Sequence, residues 1–108
     1  MSQQIVQINF NFDISLAEYA QMCESVAQPI ADTKGLRWKV WLMNQAEREA
    51  GGVYLFDNEA SAQAFLAGPI VAGVAESPAL SNISVKTFGV MQDMTRITRG
   101  PIAEPVQV

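Results

Sequence analysis

The sequence predicts an α+β domain of the ferredoxin-like kind, a β-α-β-β-α-β sandwich with helices on one face of an antiparallel sheet. Three observations carry that expectation. Residues 4–12, QIVQINFNF, alternate apolar and polar with a period of two, which marks a strand with one dry face. The following residues Leu16, Tyr19, Ala20, Cys23, Val26, Ala27 and Ile30 recur at helical spacing instead. Two more strand-like runs then lie only a few polar residues apart, which is most simply an antiparallel hairpin, and a helix and a strand follow it. A length of 108 residues with 49% hydrophobic content suits one domain, 1–108, with a core over 4–91 and a C-terminal tail over 92–108.

Each element has a local reason. In the first strand Val6, Ile8, Phe10 and Phe12 share the dry face, and Gln7, Asn9 and Asn11 the other. Ser15 with Glu18 three residues on is a capping box, so the first helix is expected over 15–31, with Pro29 in its last turn. Gly35 opens the second strand, GLRWKVWLMN over 35–44. Strict alternation there puts Leu36, Trp38, Val40 and Leu42 on the core face and Arg37, Lys39, Trp41 and Met43 on the opposite face. A polar turn over 45–49 follows, and Gly51 with Gly52 marks a bulge or a close backbone approach before a buried run over 53–56. Asp57 or Asn58 caps a second helix that Gly68 and Pro69 break, leaving a short helical piece over 70–76. The last strand is expected over 82–91, with Gly89 a candidate bulge, and an irregular tail carries Arg96 and Arg99.

Composition excludes more than it assigns. There is no histidine, hence no Ser-His or Cys-His nucleophile pair, no imidazole base and no His-ligated metal or haem. Cys23 is the one cysteine, so neither a disulfide framework nor a cysteine-only metal cluster forms within one chain; on the apolar stripe of its helix it reads as a small hydrophobe. Seven basic against eleven acidic residues give a net charge of −4, which excludes the basic stripe that nucleic-acid binding needs. No stretch resembles a signal peptide or a membrane span, so a cytoplasmic protein without membrane partners is expected. No glycine-rich nucleotide fingerprint is present, and the acids fall on turns and helix faces, so the expectation is neither cofactor nor metal. A small domain whose outer sheet face mixes Asn9, Asn11 and Lys39 with Trp41 is expected to bury that face against a second copy, with Asn9, Asn11 and Trp41 in the interface.

The stretch GLRWKVWLMNQAEREAGGVYLFDNEASAQAFL, 35–66, resembles the central block of the YdhR-type monooxygenases. The shared features are W-K-V-W on a strand, an acidic turn, G-G-V-Y-L-F and an acid-capped helix, and the likeness extends over roughly 4–91. The segment 68–78, GPIVAGVAESP, departs from the uninterrupted helix of that family. The resemblance implies a dimeric α/β barrel and kinship with cofactor-independent monooxygenases of phenols, quinols and polyketide aromatics. Such chemistry needs a dry aromatic pocket, donors for a developing oxyanion and a proton acceptor. Phe10, Trp38, Phe56 and Phe65 are the candidate aromatic wall between sheet and helices. Lys39 and Tyr54 are the candidate catalytic groups, Lys39 to hold a phenolate or act as a base and Tyr54 to donate to a substrate oxygen. Structural roles compete with each: an ion pair or interface position for Lys39, core packing for Tyr54 and Trp38. The rival reading is a non-enzymatic module that binds or senses an apolar ligand in the same pocket; a third is an acid–base enzyme such as an isomerase.

Overall fold

The computed structural model describes residues 2–102. In chain order the elements are β1 (Gln4–Phe12), α1 (Leu16–Ala31), β2 (Leu36–Asn44), β3 (Glu49–Phe56), α2 (Glu59–Leu66), α3 (Pro69–Glu76), β4 (Leu80–Gly89) and α4 (Gln92–Ile97). The strands form one antiparallel sheet in the order β2-β3-β1-β4, which is the ferredoxin-like arrangement. The helix starts follow from their caps. Ser15 Oγ accepts from the Glu18 N–H at 3.1 Å while Glu18 Oε1 accepts from the Ser15 N–H at 3.1 Å. Asn58 Oδ1 accepts from the Ser61 N–H at 2.9 Å at the start of α2. Gly68 ends α2 and caps α3, with Pro69 in its first turn, where a missing N–H costs nothing.

The core lies between the sheet and the helices. Val6, Ile8, Phe10 and Phe12 from β1 meet Ala50, Tyr54 and Phe56 from β3, closed over by Tyr19, Ile30, Ala62 and Phe65. Its aromatic members touch in a chain: Phe12 stacks on Tyr19 at 5.1 Å between centroids, and Phe65 lies 5.0 Å from Tyr54 and 5.3 Å from Phe56. Gly51 admits no side chain. Its φ is +150°, and a Cβ there would lie 1.9 Å from the Ile8 carbonyl oxygen. The expected close backbone approach is therefore real, but inside β3 rather than at its entry.

One irregularity decides where the functional side chains go. Leu36 pairs with Phe56, yet Trp38 pairs with Leu55, so β2 takes two steps where β3 takes one. Arg37 is the extra residue and turns outward to an exposed ion pair with Asp57 at 3.3 Å. Every later side chain of β2 is thereby inverted relative to unbroken alternation. Leu36 keeps its expected place against the core. Lys39, Trp41 and Met43 share the helix-facing side with Tyr54, Gly52 and Ala50, while Trp38, Val40 and Leu42 lie on the outer face beside Leu55, Val53 and Gly51.

Further differences are smaller. The hairpin turn is 45–48, and Glu49 already begins β3. The β4 strand starts two residues before the expected position and ends at Gly89. Its register shift falls opposite Asn9 and Asn11, next to Asn82 at φ 52°, rather than at Gly89. The tail is not irregular throughout: Gln92–Ile97 is helical, and beyond it the Trp38 indole N–H donates to the Pro101 carbonyl at 2.7 Å. The remainder of the expected tail, 103–108, lies outside the described residues.

Candidate functional site

A cavity of about 460 Å³ lies between the sheet and helices α1 and α3. Ile8 and Phe10 of β1, Lys39 and Trp41 of β2 and Tyr54 of β3 form its floor. Tyr19, Met22, Cys23 and Val26 of α1 and Ile70, Val71 and Val74 of α3 form its opposing wall, with Phe65 of α2 beside them. The α1 residues fall at helical spacing on one stripe. That signal was legible in the sequence, where it reads as core; across the cavity α3, short and broken from α2 by Gly68 and Pro69, has no buried residue of its own.

Lys39 is the one lysine of the lining. Its Nζ sits 3.3 Å from the centroid of the Trp41 ring and 4.7 Å from that of Tyr54. The ammonium is thus held by two π faces. Among the described residues no carboxylate lies within ion-pairing distance of it. Burial in this apolar lining pushes the amine down to about 8, with the Cys23 thiol acting weakly the other way. Gly52 makes the seat: a Cβ there would fall 2.5 Å from Lys39 Cε, so the lysine stem runs over bare backbone.

The same desolvation moves the two tyrosines in the opposite direction from Lys39. Burial pushes the Tyr54 phenol up to about 12. Tyr19 is raised further still, first by burial and then by its hydrogen bond with Cys23. Both therefore stay protonated across the physiological range; the Tyr19 hydroxyl is engaged with Cys23, and that of Tyr54 remains a donor. The site combines a cation, a neutral phenol donor at Tyr54 and walls of Phe, Ile, Val and Met.

The expected site residues fall into three places. Lys39, Tyr54, Phe10 and Phe65 meet at the cavity. Phe56 faces the helices but is fully buried behind Tyr54 and Phe65 and does not reach the cavity wall. The two tryptophans exchange places relative to the expectation: Trp38 lies on the outer face against Pro101, and Trp41 lines the cavity. The register inversion at Arg37 is the cause. Asn9 and Asn11 are on the outer face as expected. Asn9 accepts from the Gln7 side chain at 2.8 Å, and Asn11 is tied to the hairpin carbonyls of Glu47 and Arg48 and to Asn82. Among the described residues no three Cys, Asp or Glu side chains are grouped to hold a metal ion, and no helix is long and apolar enough to cross a membrane.

The ferredoxin-like fold of this chain recurs in solved structures of distant sequence. A protein of unknown function from Nitrosomonas europaea superposes with a TM-score of 0.70 at 19% identity, over 84% of this chain and 91% of that one. The cofactor-independent oxygenase SnoaB from Streptomyces nogalater gives 0.69 at 16% identity, over 85% and 96%. The heme degrader MhuD from Mycobacterium tuberculosis gives 0.61 at 21% identity, over 82% and 97%. The family model described as putative mono-oxygenase ydhR matches residues 5–101, and the chain belongs to that family. No curated protein matches the sequence.

Proposed function

We propose that this chain is a cofactor-independent monooxygenase of small, acidic aromatic compounds of the phenol or quinol type. The observation that carries the reading is the Lys39 ammonium, seated on Trp41 and Tyr54 in an apolar cavity with no carboxylate in ion-pairing reach among the described residues. That arrangement suits an aromatic anion: its oxygen pairs with the ammonium and its ring lies against Trp41 and Phe10. Tyr54, held protonated, supplies a neutral donor. The family membership and the likeness in fold to the cofactor-independent oxygenase SnoaB support the same class.

In this reading the phenolate gives one electron to O₂, and the resulting pair recombines to form a carbon–oxygen bond. The hydroperoxide then loses water as its O–O bond breaks and the same carbon gives up its hydrogen, leaving a quinone carbonyl. One oxygen atom enters product and the other leaves in water. Lys39 stabilises the anion before transfer and the peroxide after it. The apolar lining keeps bulk water from quenching the intermediates.

An oxygen electrode with a panel of dihydroxynaphthalenes and anthrones tests this. Wild-type protein should consume O₂ with at least one of them, and the Lys39→Met, Tyr54→Phe double variant should be slower by about 100-fold or more. Equal rates would overturn the reading; saturable binding without O₂ uptake would establish the rival, a binding module.

The outer sheet face supports the further proposal that the protein works as a homodimer. Val40 and Phe88 are about half exposed there, on the two edge strands, with the polar row of Gln7 and Asn9 between them. Light scattering at micromolar chain concentration should return twice 11.8 kDa; a mass of 11.8 kDa would refute it.

A further inference from the structure

Lys39 also has the setting of a nucleophilic amine, and that chemistry needs no oxygen. We infer that Lys39 is a carbonyl-capture site, condensing with an uncharged aromatic aldehyde or ketone in the cavity to form a reversible imine.

Four features of the site support this. An exposed lysine is nearly all ammonium at neutral pH, and a lysine paired with a carboxylate is locked in that form. Lys39 is neither: it is half-buried among apolar walls with no carboxylate in reach among the described residues. Desolvation lowers its basicity, so a usable fraction of neutral amine exists near pH 7. Secondly, the cavity has the room and the aromatic lining to hold an uncharged ring beside the amine. Thirdly, the phenol of Tyr54 lines the same space and remains protonated, so a carbonyl oxygen has a donor there. Lastly, the Trp41 and Tyr54 rings that hold the ammonium at 3.3 and 4.7 Å stabilise an iminium cation by the same quadrupole attraction.

The step balances without a redox partner. The amine nitrogen attacks the carbonyl carbon, and the oxygen takes up a proton to give a carbinolamine. Its C–O bond then breaks and water leaves, carrying the second amine proton. The apolar lining disfavours the water formed, which draws the equilibrium toward the imine.

The test is reductive trapping under nitrogen with 2-naphthaldehyde and cyanoborohydride at pH 7, read lysine by lysine by peptide mass spectrometry. Lys34 and Lys86, both exposed, are internal controls. The reduced adduct should form on Lys39 about tenfold or more faster than on either control, because its neutral fraction is far larger. Gly52→Ala keeps the amine but displaces it, since the new Cβ would meet the flexible Lys39 Cε at 2.5 Å. Labelling of Lys39 should fall severalfold in that variant while Lys34 and Lys86 are unchanged. Equal labelling of the three lysines in wild-type protein, or none on Lys39, would overturn the inference. Trapping without O₂ is independent of oxygen uptake, so either reading can fail alone.

Discussion

Replacing Lys39 by Met should make the protein more stable below pH 8 while removing the oxyanion partner on which the proposed chemistry depends. The wild-type cavity holds a cation whose burial is not offset by a carboxylate among the described residues. Methionine fills the same stem volume over Gly52 without a charge to desolvate. The sign follows from linkage. A lysine held at about 8 in the fold and near 10.4 when unfolded binds more protons unfolded between those values. Wild-type stability should therefore rise with pH across that window, and the burial penalty is fully present below pH 8. With allowance for the solvent that reaches this half-buried group, the penalty is about 1–2 kcal/mol. The two tyrosines act in the opposite sense only above pH ~10, where unfolded phenols begin to ionise and the buried ones do not. Urea unfolding of wild type and Lys39→Met at pH 7 and pH 10 separates these effects. The variant should lead by about 1–2 kcal/mol at pH 7, with most of the gap closed by pH 10. A variant less stable than wild type at pH 7 would mean that the ammonium is well compensated and is not a vacant partner for a substrate anion.

Much of this architecture was legible before any coordinates. The period-two run of β1, the Ser15–Glu18 box and the Gly68–Pro69 break are local signals with local causes, and each element they mark is present. The tail was less legible, because six helical residues, Gln92–Ile97, show no apolar stripe long enough to read as a helix.

The faces of β2 were not legible, for a specific reason. Its two candidate faces are both apolar: Trp38, Val40 and Leu42 against Trp41 and Met43. Periodicity then gives the alternation but not its phase. The phase is set by the bulge at Arg37, which carries no glycine to announce it and is seen only in the pairing of Leu36 with Phe56 and Trp38 with Leu55. An error of one residue moved both tryptophans to the wrong side of the sheet. It also placed Lys39 on the outer face, whereas the structure brings it into the cavity with Tyr54. The lining from Met22, Cys23, Ile70 and Val74 went unrecognised because an apolar stripe signals burial whether it meets another side chain or an open cavity.

The cavity's aromatic character depends on that register, and the two tryptophans report it directly. They are the only ones in the chain, one in the cavity and one on the outer face. Titration of a dihydroxynaphthalene against Trp38→Phe and Trp41→Phe, followed by tryptophan emission, reads which face the ligand meets. Trp38→Phe leaves only Trp41 and should show saturable quenching of most of its emission, since a ring in the cavity stacks beside that indole. Trp41→Phe leaves only Trp38, whose indole is engaged with Pro101, and its emission should stay flat. Quenching carried by Trp38 with Trp41 silent, or no saturable quenching from either, would contradict the cavity as an aromatic site.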